Sequence, residues 1–191
     1  MPIKQFEDYP FQHFPEYYSE KDLFEKVKSE CNFTFDKVYI GEDRVERLEK
    51  RGTCWLSDIP DLEFEYSGKK MIPQKIPEII RKIKSLIYKD FGINFDGILV
   101  NYYENGGVGM GYHSDPIEDK WDNNFIIYSL GDERKLIFRE KENKEVKINF
   151  DFKNGDLLFM YDDCQERYEH SIRKNKSELP RISLVFKSRV F

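Results

Sequence analysis

Residues 145–161 read EVKINFDFKNGDLLFMY, and the folding of this run decides the architecture. Val146, Ile148, Phe150 and Phe152 alternate with Lys147, Asn149 and Asp151, which is the two-residue period of a strand with one buried face. Asn154-Gly155-Asp156 predicts a turn into the apolar strand LLFMY. Outward from this hairpin, FDGILVNYY (95–103), FIIYSLG (125–131), KLIFRE (135–140) and RISLVFKSR (181–189) bring the count to at least six strands. Upstream the period lengthens. In IPEIIRKIKSLIYKDFG (76–92), Ile76, Ile79, Ile80, Ile83, Leu86 and Ile87 recur at three- and four-residue steps, Pro77 suits the first turn and Gly92 ends the helix. A shorter helix is expected in SEKDLFEKVKSE (19–30), with Ser19 as its cap and Leu23, Phe24 and Val27 as its apolar stripe. Short strands following helices predict an α+β fold, a double-stranded β-helix or jelly-roll core braced on the outside by the N-terminal helices.

A chain of 191 residues has room for one compact domain. Residues 1–40 are expected as a helical or irregular extension packed on the core, and residues 41–191 as the main domain. No apolar run reaches a membrane span, the N-terminus lacks signal-peptide regions, and three widely spaced cysteines fit reduced thiols. An intracellular monomer with no membrane partner is the expectation. The net charge of −5 and pI of about 5.4 exclude a protein that coats itself in polyanion through its overall field. Nucleic acid would need a local basic face, and lysine and arginine do cluster near residues 50, 70 and 175; each cluster also reads as a solvated loop.

The glycines of GGVGMGYHSD (106–115) invite a phosphate-loop reading, which the context defeats: no helix stripe follows, and no Gly-Lys-Ser/Thr closes the run. Glycine here is expected to let the chain bend tightly before His113. In an extended segment His113 and Asp115 point the same way. With His170 from YEHSI they would complete the two-histidine, one-carboxylate set of a non-haem Fe(II) oxygenase. The third histidine, His13, falls in the irregular N-terminal segment. In the last strand Ile182, Leu184 and Phe186 share one face, and Arg181, Ser183, Val185, Lys187 and Arg189 the other. If the second face lines the barrel, its cations need an anion such as a dicarboxylate cosubstrate; the alternative is an edge strand with its cations in water. Phe138 and Phe150 read as core, Cys164 as a small buried residue, and Asp156 as a turn-shaping residue.

NYYENGGVGMGYHSD, YSLG, NGDLLFMY, YEHSI and PRISLVFKSR, in this order, resemble the AlkB family of Fe(II)- and 2-oxoglutarate-dependent dioxygenases. RGTCWLSD (51–58) and EFEYSGKKMIPQKIPEII (63–80) resemble the substrate-side hairpins and following helix of its nucleic-acid-repair branch, so the likeness begins near residue 45. It implies Fe(II) bound by His113, Asp115 and His170. It also implies 2-oxoglutarate held by Asn101, Tyr103 and Arg181, with Lys187 in the place of the family's second arginine, and Ser183 and Val185 where asparagine and threonine usually stand. A lysine neutralises a carboxylate but lacks the arginine fork. The implied reaction uses O2 to remove N-linked methyl groups from bases of single-stranded or flipped DNA or RNA.

On the substrate side, Tyr66 matches the aromatic that stacks on a flipped base, with Ser67 beside it and Arg51 and Trp55 on the same rim. Pro116 and Ile117 stand where repair members carry an acidic pair, and Glu118 and Asp119 are candidate replacements. Two rival readings remain: the same chemistry on a protein side chain or small molecule, and a catalytically silent nucleic-acid-binding module.

Overall fold

The computed structural model describes residues 6, 8–41, 43–115 and 120–190. Among them the chain runs β1 (Phe11–Phe14), α1 (Leu23–Glu30), β2 (Lys37–Ile40), β3 (Val45–Leu48), β4 (Gly52–Leu56), β5 (Phe64–Tyr66), β6 (Lys69–Met71), α2 (Glu78–Phe91) and β7 (Gly97–Tyr103). It continues through β8 (Met110–His113), β9 (Trp121–Gly131), β10 (Arg134–Glu140), β11 (Lys147–Phe152), β12 (Leu157–Met160), α3 (Cys164–Arg167), β13 (Tyr168–Ile172) and β14 (Arg181–Arg189). A six-stranded sheet has the order β1-β12-β9-β14-β7-β4 and a four-stranded sheet the order β11-β10-β13-β8, with hairpins β2-β3 and β5-β6 beside them. Two antiparallel sheets with helices on one outer face are the jelly-roll core that the alternating pattern predicts.

β14 shows how one strand serves two cores. Ile182, Leu184 and Phe186 pack with Leu23, Val27, Ile80, Ile83 and Ile87 of the helices. Val185 joins Phe11, Leu136, Phe138, Phe152 and Leu158 between the sheets. Strand alternation sorts the residues in this way, and β14 is paired on both edges, to β7 and β9. The half-exposed edge-strand reading of its cations therefore does not hold: Arg181 and Lys187 are both 0% exposed. Strand β11 keeps the expected alternation, with Phe150 and Phe152 buried between exposed neighbours.

The helices differ from expectation at their starts. α1 begins at Leu23 after Asp22, which sits at φ 62 and caps nothing with its side chain, so Ser19 lies too early in the chain to cap it. In α2 Pro77 is the residue before the first turn, and Gly92 at φ 71 closes the helix with its N–H on Tyr88 O. The first forty residues contribute more than an extension: β1 is the edge of the large sheet, paired residue by residue with β12. His13 belongs to that strand, and its Nε2 lies 2.9 Å from the buried Asp156 carboxylate. Asp156 also accepts the backbone N–H groups of Glu16 and Lys153, the turn-shaping role read from the sequence. No helix among the described residues is long and apolar enough to cross a membrane.

Candidate metal centre and cosubstrate wall

The small sheet brings the two histidines together because β8 and β13 are antiparallel neighbours with His113 and His170 as Cα partners. Their ring centroids are 4.4 Å apart. Asp115 follows β8 by two residues, and ligand atoms of His113, Asp115 and His170 all lie within 4.8 Å of one another. His113 Nδ1 is 2.9 Å from Gly111 O. A carbonyl only accepts, so Nδ1 is the donor in this bond and Nε2 is the ring nitrogen left for a cation. Ser114 and Asp115 are themselves anchored from behind: Gln165, 2% exposed, takes the Asp115 N–H on Oε1 at 2.8 Å, and Ser114 Oγ donates to Tyr168 O.

Burial alone would raise the Asp115 pKa, but the Lys187 ammonium, then the two imidazoles, more than offset it and hold the carboxyl well below its usual range. Lys187 Nζ is 3.1 Å from Asp115 Oδ1, and its charge lies 4.0 Å from the centroid of the Phe125 ring. Burial, then the neighbouring His113, pushes the His170 pKa down to about 3, against the pull of Asp115. Two imidazoles and an ionised carboxylate converging on one point are a donor set for a cation between them.

Along the facing wall, the β14–β7 register sets Arg181 against Tyr103 and Ser183 against Asn101. Arg181 donates Nε to Ser129 Oγ, and its Cζ lies 5.3 Å from the Tyr103 ring centroid and 5.7 Å from that of Phe152. Both Arg181 Nη atoms are buried without a hydrogen-bond partner, as is Asn101 Oδ1, although Asn101 Nδ2 reaches Ser183 Oγ at 3.3 Å. Burial pulls the Arg181 pKa down to about 10, Tyr103 opposing and Arg134 assisting. A buried fork with two idle donors is matched by a carboxylate. The donor set thus fits Fe(II) at one end of the wall and a dicarboxylate at the other. Lys187 stands at the metal end, on Asp115, and Val185 is the apolar spacer between the polar residues.

The substrate side divides. Tyr66 is half-buried, its hydroxyl donating to Glu49 at 2.6 Å, with Arg51 Cζ 5.6 Å from its ring centroid. Ser67 is exposed in the turn after it, at φ 48. Trp55 is not a rim residue: it is 0% exposed, donates its indole N–H to Leu62 O and stacks on Phe64, because inward alternation on β4 sends it into the inter-sheet core. Pro116, Ile117, Glu118 and Asp119 lie outside the described residues.

Sequence reasoning missed Gln165 and Glu49. Glu49, 7% exposed, binds Tyr66 and the buried ammonium of Lys69, and lies 3.4 Å from Arg51 Nη2. Neither residue carries a motif. Only the buried side-chain bonds reveal them.

This double sheet with a histidine–carboxylate–histidine cluster defines a class. The chain belongs to the 2OG-Fe(II) oxygenase superfamily, whose model matches residues 10–188 and so takes in β1. Within that superfamily its relatives lie in the AlkB family. It is 33% identical over 168 residues to the uncharacterised protein R406 of Acanthamoeba polyphaga mimivirus, covering 87% of each chain. It is 30% identical over 163 residues to the alpha-ketoglutarate-dependent dioxygenase alkB homolog 3 of Homo sapiens, covering 78% of this chain and 54% of that one. With the DNA oxidative demethylase ALKBH2 of Mus musculus it shares 25% over 135 residues, covering 66% and 56%. The chain thus spans about half the length of these two animal relatives. The solved structure of OsALKBH1 superposes with a TM-score of 0.67 at 14% identity, over 97% of this chain and 100% of that one, which is a likeness of fold. The family's cofactor and cosubstrates are Fe(II), 2-oxoglutarate and O2, and the protein is an oxidoreductase.

Proposed function

We propose that this oxygenase removes N-linked methyl groups from nucleic acid bases, acting on single strands or flipped nucleotides and releasing formaldehyde and succinate. The observation that carries the oxidative part is the convergence of His113, Asp115 and His170, together with the unspent donors of the buried Arg181. The names of the mammalian relatives, a DNA oxidative demethylase among them, support a base as the substrate.

His113, Asp115 and His170 would hold Fe(II). Bound there with 2-oxoglutarate and O2, the metal supplies an oxidation that turns N–CH3 into N–H and yields formaldehyde, succinate and CO2. The chain's own groups orient and shield. Arg181 offers two parallel N–H donors to the distal carboxylate, and the buried Asn101 and Tyr103 on the partner strand orient the rest of the diacid. Lys187 keeps Asp115 ionised, and the Gly111 carbonyl keeps the His113 proton on Nδ1. At the rim, Tyr66 presents a flat face with its hydroxyl tied to Glu49, and Arg51 backs the ring.

The test is incubation with methylated single- and double-stranded DNA and RNA, with formaldehyde measured against succinate. Formaldehyde and succinate in equal amounts from a methylated strand are expected. Succinate that forms regardless of any methylated nucleic acid would contradict the base-demethylase reading and favour a protein or small-molecule substrate.

A further inference from the structure

His113 stands on β8, the outermost strand of the small sheet, so its backbone is held from one side only. The pairing to β13 is short: His113 faces His170 and Met110 faces Ile172, with a register shift between the two. A ladder that brief and irregular exerts weak control over where an imbalanced edge strand sets its side chains.

A side-chain bridge crosses the outside of the sheet at this point. Neighbours along a strand face opposite ways, so Tyr112 turns outward where His113 turns inward, and Glu169 outward where His170 turns inward. Arg139 of β10 is the Cα partner of Glu169. Its Nε donates to Glu169 Oε1 at 2.7 Å, and Nη2 contacts the same oxygen. Its Cζ lies 3.7 Å from the centroid of the Tyr112 ring. One guanidinium thus reaches from β10 over β13 to β8 and holds the residue that precedes each histidine.

We propose that Arg139 is a positioning residue for the metal centre, fixing the separation of His113 and His170 by clasping Tyr112 and Glu169. This rests on the reading of the two histidines as metal ligands. Arg139 acts through Tyr112 and Glu169, limiting the sideways freedom of β8 as outer partners of metal ligands do.

The experiment is anaerobic titration of the whole chain with Co(II), followed by its visible absorption, alongside the thermal midpoint of the metal-free protein. Arg139→Ala and Tyr112→Leu are each expected to weaken Co(II) binding by roughly tenfold, within the span seen for outer partners of metal ligands. The double variant should be no weaker than either single one, and Tyr112→Phe, which keeps the ring face, should bind as the unaltered protein does. Lys135→Ala is the control, since it removes the Lys135–Asp151 pair, which joins β10 to β11 rather than to the strand that carries His170. It should leave affinity unchanged, with at most a small shift of the thermal midpoint, because the pair is half-exposed. Unchanged affinity in Arg139→Ala, or an equal loss in Lys135→Ala, overturns the clasp. If Arg139→Ala does not fold, Tyr112→Leu, which leaves the pair with Glu169, carries the same two outcomes. His113→Ala separates the assumptions: Co(II) binding that survives it overturns the ligand assignment, and the clasp falls with it.

Discussion

Arg181 is the residue whose chemistry is most exposed to test, because its two buried Nη donors have no hydrogen-bond partner and suit a bound carboxylate. Hydrogen bonds to a charged group contribute about 1.5–3 kcal/mol each. Arg181→Ala is therefore expected to raise the KM for 2-oxoglutarate by at least about tenfold, and Arg181→Lys to fall between, since a lysine keeps the charge and loses the fork. Steady-state kinetics on succinate formation measure both. His170 gives a second prediction, in pH. Its folded pKa is depressed to about 3, while in the unfolded chain it protonates below about 6.5. The unfolded state thus binds the extra proton first, and the metal-free protein loses stability as pH falls through that window. His170→Gln should flatten the fall in thermal midpoint between pH 7 and pH 4. At this scale the sequence was informative wherever alternation does the work: the basic face of β14 follows from strand geometry, whereas Asp115 reaches His113 from just beyond the end of β8. Gln165, Glu49 and Arg139 were not legible, because each acts through a partner on another element. Trp55 misled because a motif near a rim does not say which way a strand faces.

Elements show the same division. The period of α2 and its stop at Gly92 were readable, and so was the turn at Asn154-Gly155 ahead of β12, because local backbone preferences set them. The glycine run before His113 was read as a place for bending, and its real constraint is close approach. A Cβ on Gly106 would meet Asn175 Oδ1 at 1.8 Å, and one on Gly109 would meet Ile172 O at 2.7 Å; neither glycine has a positive φ. That crowding comes from the end of β13 and the connection to β14, which no local pattern announces. Gly111 is the contrast, with nothing within 4 Å of its added Cβ. Gly109→Ala is expected to destabilise the protein by about 1–3 kcal/mol, as overpacking against fixed backbone does, and Gly111→Ala to be tolerated. Urea denaturation compares them.

For the molecule as a whole, the first residues matter most to the prediction of stability. β1 closes the large sheet beyond β12, Phe11 stacks on Phe138 with centroids 3.9 Å apart, and His13 joins the buried Asp156. Deleting residues 1–14 would bare the β12 edge and unstack the inter-sheet core. The truncated chain is expected to aggregate or to lose its cooperative thermal transition, seen by calorimetry and gel filtration. The double sheet itself was legible from the number and spacing of alternating strands. That the N-terminal segment supplies one of them was not, since four residues of FQHF show no period long enough to read. The pairing of distant strands is also what brings separate sequence motifs together: β8 against β13 supplies the imidazoles, and β14 against β7 the wall proposed to hold the cosubstrate. The most direct measurement is the visible charge-transfer absorption of the anaerobic protein with Fe(II) and 2-oxoglutarate. The account predicts a band that needs both additions, disappears in His170→Ala, and requires more 2-oxoglutarate to saturate in Arg181→Ala. A band that survives His170→Ala, or none from the unaltered protein, would contradict it.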